Sequence, residues 1–139
     1  MKYALEPFAF DINRAHQDDA GIDMRTPERF VLRAHEQKVV DLGVRVQIPL
    51  GYWGKMESKS GLMVNHGIIC MGGVIDSGFR GTIKVRMYNT SDKDYTFEAG
   101  DKLVQMVLMP VLLADLEQVE KLDEADFGRN ESGWGSTGR

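Results

Sequence analysis

One short stretch in the middle of this 139-residue chain combines the residue types that acid–base chemistry requires. Two adjacent glycines, Gly72 and Gly73, let the backbone adopt positive φ or approach another group closely. Two apolar residues later, a single carboxylate, Asp76, enters a turn, and the alternating residues Thr82–Met87 then predict a strand. Asp76 at the mouth of such a hairpin could accept a proton from a bound water. Because Asp-Ser-Gly is also ordinary turn chemistry, a purely structural role stays open.

A second candidate for chemistry lies at Ser58–His66, where a lysine stands between two serines. Ser58 or Ser60 can cap a helical turn whose free N–H groups would face an anion, with Lys59 beside it. The phosphate-binding P-loop pattern fails here, because Lys59 and Ser60 stand where that motif has Gly and Lys. A capped surface turn with a solvated lysine is the alternative.

Two polar side chains interrupt apolar segments. Asp23 lies in Ala20–Met24, a predicted strand in which Gly21 permits close approach of another group, although a loop position is also open. Gln105 is the one polar residue in the apolar run Leu103–Met109. Burial of its amide is costly without hydrogen bonds, so Gln105 is either a satisfied core group or a group that faces a ligand.

The C-terminal segment Phe127–Arg139 has little apolar material with which to join a core. It nevertheless carries Trp134 between two glycines, with Arg129 upstream. Ordering such a segment costs conformational entropy, which a ligand would have to offset. An aromatic ring suits stacking on a base while arginine binds phosphates, so Trp134 is predicted to be an interaction anchor for a ligand, and a stray tryptophan without a role is the alternative.

Short strands punctuated by glycine and proline must position these groups. Alternation of apolar and polar residues predicts a strand at Val39–Ile48 and a returning strand at Tyr52–Glu57. Residues 113–122 fit either a strand or a short helix, and no apolar pattern with helical period spans ten residues before Val111. The sequence therefore predicts one all-β domain, a sandwich or a barrel.

Composition narrows the classes of function. Hydrophobic residues make up 42% of the chain, and no apolar run reaches the ~18 residues of a membrane span, so no membrane partner is expected. The net charge of −4 disfavours direct binding to a nucleic-acid backbone. A single cysteine, Cys70, excludes an internal disulfide and favours a reducing, cytoplasmic location. None of the three histidines has a metal-ligand spacing to Cys70, and a Cys/His nucleophile is not expected.

Five short motifs in a fixed order resemble those of the trimeric dUTP pyrophosphatases, the dUTPase family. They are Ala20–Asp23, Ser58–Leu62, Gly73–Gly81, Gly100–Gln105, and Arg129 with Gly133–Gly138. The resemblance implies an all-β, jelly-roll-like distorted barrel with one short helix, assembled as a homotrimer with active sites at subunit interfaces. It divides the chain into a β domain at residues 1–126 and a C-terminal arm at 127–139 that closes over an active site.

The resemblance also implies the reaction, hydrolysis of dUTP to dUMP and pyrophosphate, which limits uracil in DNA and supplies dUMP. Asp76 would deprotonate the water that attacks the α-phosphorus, and Asp23 would hold Mg²⁺ through water. Contacts with the phosphate chain would come from Lys59, Ser60, Gly61 and Gln105.

Base and sugar recognition follow from the same resemblance. Backbone groups of Gly73, Val74 and Ile75 would contact uracil, Phe79 would pack against the deoxyribose, and Lys84 would approach the substrate. In the arm, Arg129, Ser136 and Thr137 would bind the outer phosphates, and Trp134 with Gly135 would lie over the uracil.

Departures from the family pattern and two rival functions remain. Lys59 replaces the usual arginine, which gives a point charge instead of a bidentate fork. Phe79 stands for the commoner tyrosine and Trp134 for phenylalanine, while Cys70 stands where some members carry an asparagine. A dCTP deaminase is disfavoured, because Arg86 occupies the position of its catalytic glutamate. A nucleotide-gated regulatory protein with an unknown protein partner is the other alternative, and a viral origin would place the protein in the host cytoplasm or nucleus.

Overall fold

The computed structural model describes residues 1–124, which form eleven strands and one short helix. The strands are β1 (Lys2–Leu5), β2 (Gly21–Arg25), β3 (Phe30–Leu32), β4 (Gln37–Asp41), β5 (Val44–Gln47), β6 (Tyr52–Ser58), β7 (Ile68–Met71), β8 (Val74–Ile75), β9 (Lys84–Asn89), β10 (Tyr95–Phe97) and β11 (Lys102–Pro110). Helix α1 (Ser60–His66) lies between β6 and β7. The all-β prediction is confirmed. Within residues 1–124, no helix has the length and apolarity that crossing a membrane would require.

The strands pair in four antiparallel groups around one apolar core. A four-stranded sheet has the order β2-β11-β6-β8 and a three-stranded sheet the order β4-β9-β7, while β1 pairs with β5 and β3 with β10. Alternating residues point inward, as along β9, where Val85 and Met87 are buried and Lys84 and Arg86 are exposed. Burial of this alternating apolar set is the main force that holds the sheets together.

The predicted strand Val39–Ile48 is wrong in one respect, because the structure divides it into β4 and β5. The chain breaks at Gly43, whose φ of 66° is in the left-handed region. A Cβ atom there would lie 2.6 Å from the ring of Phe8, so only glycine fits. Alternation continues across the break, since Leu42 and Val44 are both buried. The pattern therefore does not reveal where the chain changes its pairing partner, from β9 along β4 to β1 along β5.

Two predicted hairpins are also wrong. Strand β6 exists as expected, but it pairs with β11 and β8 and does not return along β5. Asp76 does not lie at the mouth of a hairpin either, because β8 before it and β9 after it belong to different sheets. Local alternation predicts that a strand forms, whereas its partners depend on contacts distant in sequence.

The segment after β11 differs from both alternatives that its sequence allowed. Residues 111–124 form neither a strand nor a helix. Their leucines are exposed, with 88% of Leu112, 99% of Leu116 and 81% of Leu122 accessible. Apolar side chains at this spacing would be typical of a strand or helix that packs against the core, yet no residue within 1–124 covers them. A row of exposed leucines is typical of a surface that contacts another chain.

Candidate active site

A buried carboxylate with two lysines forms the first group of candidate residues. Lys59 Nζ lies 2.5 Å from Asp23 Oδ1, and Lys102 Nζ lies 2.6 Å from Asp23 Oδ2. The Asp23 side chain is only 3% exposed, whereas those of Lys59 and Lys102 are 26% and 36% exposed. Asp23 is therefore a buried strand residue, and the two ammonium groups lie between it and the surface. Lys102 was not predicted from the sequence as a site residue.

Gln105 joins this group through the register of the sheet. It lies opposite Asp23 on β2 and opposite Glu57 on β6, so the three side chains share one face. Gln105 Nε2 donates a hydrogen bond of 3.0 Å to the carbonyl of Ser58. Gly21 makes room for the amide, because a Cβ there would lie 2.1 Å from Gln105 Oε1. Gln105 is thus hydrogen-bonded, as a satisfied core group would be. It is also only partly buried, as a group that faces a ligand would be.

A β-bulge brings Lys102 to Asp23. Lys102 lies opposite Arg25 on β2, yet the next paired residue on β11 is Val104, so Leu103 is the extra residue. Leu103 and Val104 are consecutive and both fully buried, which interrupts the alternation of more and less buried residues along β11. The bulge therefore shifts the alternation by one residue and leaves Lys102 free to reach the carboxylate.

Opposing effects act on the protonation of Asp23. Burial raises the pKa of Asp23, but the hydrogen bonds and positive charges of Lys102 and Lys59 outweigh it and hold the pKa below its ordinary value of 3.8. The carboxylate is thus ionised at neutral pH and neutralises one of its two lysines. The Asp23–Lys59–Lys102 cluster keeps one net positive charge.

We expect Asp23 to contribute stability that is lost in acid. The pKa of Asp23 is lower in the folded chain than in the unfolded chain, so its contribution is complete above about pH 4 and disappears as the pH falls through the folded pKa. Urea unfolding of wild-type protein and Asp23→Asn should give a difference in unfolding free energy at neutral pH that shrinks below about pH 4. A difference that is constant down to the acid limb would contradict this assignment.

The donor set can be tested against a magnesium ion. Within residues 1–124, no group of three or more His, Cys, Asp or Glu side chains could hold a metal by itself. Mg²⁺ keeps several waters and often takes its other ligands from substrate phosphates, so a single carboxylate that acts through water is enough. Each Asp23 oxygen has a second lone pair beyond its lysine contact. Because the two ammonium groups leave the cluster positive, the residues fit a water-mediated ion only together with the negative charge of substrate phosphates, and they do not fit a cage made by the protein.

Helix α1 begins beside this cluster, but not in the predicted way. Its N-cap residue is Lys59, in an extended conformation and without a side-chain capping bond. Neither serine caps the helix, since Ser58 Oγ instead accepts a hydrogen bond of 2.8 Å from the backbone N–H of Cys70. Ser60 and Gly61 are exposed in the first turn. The capping prediction is wrong, but Lys59, Ser60 and Gly61 follow directly after Ser58, whose carbonyl accepts the hydrogen bond from Gln105.

The second group of candidate residues lies around Asp76. Met56 donates its backbone N–H to the carbonyl of Gly73 at 2.9 Å, which ties the loop between β7 and β8 to β6. Val74 pairs with Lys55, and Ile75 is buried opposite Gly54. Asp76 then begins the predicted turn, in which its carbonyl accepts a bond of 3.1 Å from the N–H of Phe79. The Asp76 carboxylate is exposed and accepts no hydrogen bond from residues 1–124.

Two arginines fix the turn that carries Asp76. Arg80 Nη1 donates to the carbonyls of Ser77 and Phe79, each at 2.7 Å. Arg45 on β5 donates to the carbonyl of Arg80 at 3.0 Å and is paired with Glu6. Arg45 does not stand out in the sequence, because it looks like an ordinary outward residue of an alternating strand and lies 35 positions from Arg80.

We expect Gly73→Ala to destabilise the protein by about 2–4 kcal/mol. Its φ of 136° disfavours any side chain, and a Cβ would lie 2.5 Å from Cβ of Met56. Gly72→Ala is the matched control, because its φ is 85° but open space surrounds it, so only strain of about 1–2 kcal/mol is expected. Urea midpoints measure both. Equal losses would show that the contact with Met56 adds nothing.

Lys84 and the arm residues belong to neither group in the described structure. Lys84 Nζ lies 3.6 Å from Asp41 Oδ2 on the neighbouring strand, and its side chain is 61% exposed. No described hydrogen bond or ion pair joins it to the two groups within residues 1–124. The arm residues Arg129, Trp134, Gly135, Ser136 and Thr137, like the boundary at 126/127, lie outside residues 1–124.

Cys70 is not a nucleophile in this arrangement. Burial raises the pKa of its thiol to about 11, with a smaller contribution from the negative charge of Glu57. A thiol that stays protonated at neutral pH is a poor nucleophile. His66 lies four residues earlier but packs on Tyr95, with ring centroids 4.6 Å apart. The structure agrees with the sequence prediction that these two residues do not form a pair.

Asp76 lies far from Lys59 along the sheet of one chain. Asp76 follows Ile75, which pairs with Gly54 near the start of β6, whereas Lys59 comes five residues after Gly54. At about 3.3 Å per residue, the separation along the strand is roughly 17 Å. A phosphate chain held at Lys59 would therefore lie far from the Asp76 carboxylate of the same chain.

Comparison with known sequences covers almost the whole chain. The family model described as dUTPase matches residues 9–138. The deoxyuridine 5'-triphosphate nucleotidohydrolase of Debaryomyces hansenii is 40% identical over 120 residues, which are 86% of this chain and 75% of that protein. The protein of the same name from Clostridium novyi is 36% identical over 137 residues, which are 97% of this chain and 92% of that protein.

Solved structures give a similar result. The dUTPase of Staphylococcus bacteriophage 80alpha, solved with dUpNHpp, has a TM-score of 0.89 and 28% identity, with 99% of this chain and 98% of that chain covered. A mutant dUTPase from phage phi11 of S. aureus, described with a structural Mg(II) ion, has a TM-score of 0.80 and 27% identity over 88% and 98% of the chains. The likeness therefore includes both groups of candidate residues.

Proposed function

Because this chain belongs to the dUTPase family, we propose that it hydrolyses dUTP to dUMP and pyrophosphate. The observation that carries the proposal is the exposed carboxylate of Asp76 on a turn that its neighbours hold in place. A carboxylate held in this way can accept a proton from a water molecule without first breaking a hydrogen bond to another described residue. The proposed hydrolysis of dUTP limits the uracil available for incorporation into DNA and supplies dUMP.

Asp76 is the proposed general base. It accepts a proton from the water whose oxygen attacks the α-phosphorus. The new oxygen–phosphorus bond forms as the bond from the α-phosphorus to the bridging oxygen breaks, and pyrophosphate leaves with that oxygen. A positioned base is typically worth about 10²–10⁴ in rate, so alignment and neutralisation of charge must supply the rest.

The proposed phosphate end consists of Lys59, Ser60, Gly61 and Gln105. Lys59 brings a positive charge to the exposed first turn of α1, and Gln105 is held by its bond to Ser58. Asp23 would hold Mg²⁺ through water. When bound, Mg²⁺ would neutralise charge on the phosphates.

The proposed base and sugar contacts come from the second group. Backbone groups of Gly73, Val74 and Ile75 would read the uracil edge, and the tie from Met56 to Gly73 supports their fixed position. Phe79 would pack against the deoxyribose. Its ring already lies over Gly81, where a Cβ would come within 2.7 Å of it, and it is 40% exposed. Lys84 would approach the substrate from β9.

A homotrimer is proposed as the active form. The roughly 17 Å between Asp76 and Lys59 along β6 supports a site in which neighbouring subunits contribute one group each. The exposed leucines of residues 111–124 give independent support for contacts between chains. We propose that residues 1–126 form the β domain and that 127–139 form an arm that closes over a site. We also propose that the protein is located in the cytoplasm.

The arm assignment predicts a fluorescence change on binding of ligand. Trp134 would lie over the uracil with Gly135 beside it, while Arg129, Ser136 and Thr137 bind the outer phosphates. Addition of dUpNHpp should therefore alter the tryptophan emission of the wild type. Trp134→Phe, which retains Trp53, should show little change. The same response in both proteins would assign the signal to Trp53 and contradict the closing arm.

Analysis of products tests the function directly. The protein is incubated with dUTP, dCTP, dTTP and UTP in the presence of Mg²⁺, and the products are separated. We expect pyrophosphate and dUMP from dUTP, with little turnover of the others. Lack of pyrophosphate from dUTP, or equal turnover of dTTP, would refute the assignment. Deamination is disfavoured, since Arg86 has no acid–base role there and instead donates to Gln37 at 3.2 Å.

A further inference from the structure

We propose that Lys102 is a further phosphate-binding residue, and that Asp23 positions Lys102 and Lys59 together for this purpose. The inference rests on the proposed function, since it concerns the phosphate end of that site. It assigns Asp23 a role through the two lysines that does not require a metal ion.

The first step is geometric. Each lysine contacts a different oxygen of one carboxylate, at 2.5 and 2.6 Å, so the two ammonium groups are held close together. An ammonium group has three donors, and contact with Asp23 uses one of them. Because Asp23 is 3% exposed and the lysines are 26% and 36% exposed, the remaining donors lie on the solvent side. Lys102 is therefore as available to a ligand as Lys59.

The second step concerns charge. Two ammonium groups beside one carboxylate leave one positive charge without an opposite charge at short range. Glu57, which shares this face of the sheet, is already paired with Lys55. Arg25, opposite Lys102, donates to the carbonyl of Gly100 at 2.8 Å and adds positive charge. An anion bound over the two lysines would relieve their mutual repulsion, and a polyphosphate presents several oxygens to paired point charges.

The third step is the cost of this arrangement without a ligand. Burial of a carboxylate disfavours its charged form, and crowding of two cations is unfavourable in turn. The β-bulge at Leu103 places Lys102 on the same face as Asp23, and it disrupts the strand pairing of β11. A role that only neutralised Asp23 would be met by Lys59 alone.

Equilibrium binding tests the role of Lys102. The affinities for dUpNHpp and dUMP are measured in EDTA with wild type, Lys102→Met and the control Lys93→Met, which changes an exposed lysine in the turn between β9 and β10. A charged hydrogen bond is worth enough for Lys102→Met to weaken dUpNHpp binding about 10-fold, with dUMP changed less than about two-fold. Lys102→Arg should recover part of the loss, and Lys93→Met should match wild type. An unchanged affinity for dUpNHpp, or an equal loss for both ligands, would overturn the assignment.

A double-mutant cycle in EDTA tests the role of Asp23. If Asp23 positions Lys102, the loss caused by Lys102→Met should shrink to about three-fold or less in an Asp23→Asn background. The same loss in both backgrounds would overturn the positioning role. If Asp23→Asn does not fold, Asp23→Glu is used in its place. The longer side chain moves the carboxylate away from its present position, so the loss of affinity caused by Lys102→Met should shrink in the same way.

The product assay separates this inference from the proposed function. Wild-type protein that releases pyrophosphate from dUTP, with Lys102→Met still binding dUpNHpp normally, would refute the inference alone. Wild-type protein that releases no pyrophosphate, while Lys102→Met loses affinity for dUpNHpp selectively, would refute the proposed reaction and support the inference.

Discussion

Asp76→Asn is expected to lower the turnover of dUTP by about 10²–10⁴-fold, because an amide cannot accept the proton of the attacking water. The substitution keeps the shape of the side chain. The Asp76 carboxylate accepts no hydrogen bond from residues 1–124, so its replacement leaves no described partner unsatisfied. The turn should persist, since Arg80 and Arg45 hold it through backbone carbonyls. Release of pyrophosphate under saturating dUTP gives the rate.

Binding and folding measurements complete the Asp76 experiment. The affinity for dUpNHpp should stay within about three-fold of wild type, since the base contributes to the transition state more than to ground-state binding. Asp18→Asn, an exposed loop position, is the matched control and should retain full activity. A wild-type rate in Asp76→Asn would remove Asp76 from the mechanism. A loss of affinity equal to the loss of rate would assign it a binding role instead.

Mixing two inactive variants should restore activity, and this second prediction concerns the division of the site between chains. One variant carries Asp76→Asn, and the other carries Lys59→Met with Gln105→Ala, so each lacks one of the two groups. If each site takes one group from each of two neighbours, random trimers contain some sites with both groups intact. A site is intact in about one of four arrangements, so refolding a 1:1 mixture should give about a quarter of wild-type activity.

A matched mixture controls for other effects. Asp76→Asn mixed with Phe79→Ala damages the same group in both chains, so no arrangement gives an intact site and activity should stay at the level of the parents. Native mass spectrometry confirms that mixed assemblies form. Mixed assemblies without recovered activity would show that one chain supplies both groups, and the roughly 17 Å along β6 would then need another explanation.

The strands were largely predictable from the sequence, but their partners were not. Alternation along β5 and β9 reports burial of one face, which is a local property. It does not report that the chain changes sheets at Gly43, since Leu42 and Val44 keep the alternation across the break. Strand β1 was missed because its four residues are all exposed and carry no burial pattern. Long-range pairing must be observed in three dimensions.

The candidate site was predicted in part, for reasons that differ between residues. Asp76, with its turn, and Lys59 were found because their residue types stand out in their surroundings. Lys102 was missed because Gly-Asp-Lys resembles an ordinary turn, and only the bulge at Leu103 brings its side chain to Asp23. The prediction that Ser58 caps the helix was wrong, because its hydroxyl instead accepts a hydrogen bond from the backbone N–H of Cys70, twelve positions away.

The leucines exposed along residues 111–124 carry a consequence for how this protein should be handled. If partner chains cover them, a part of the apolar burial that stabilises each fold is supplied by its neighbours. The unfolding temperature is then a mass-action quantity that rises with protein concentration. Dilution would remove activity and stability together, since both would depend on the same association.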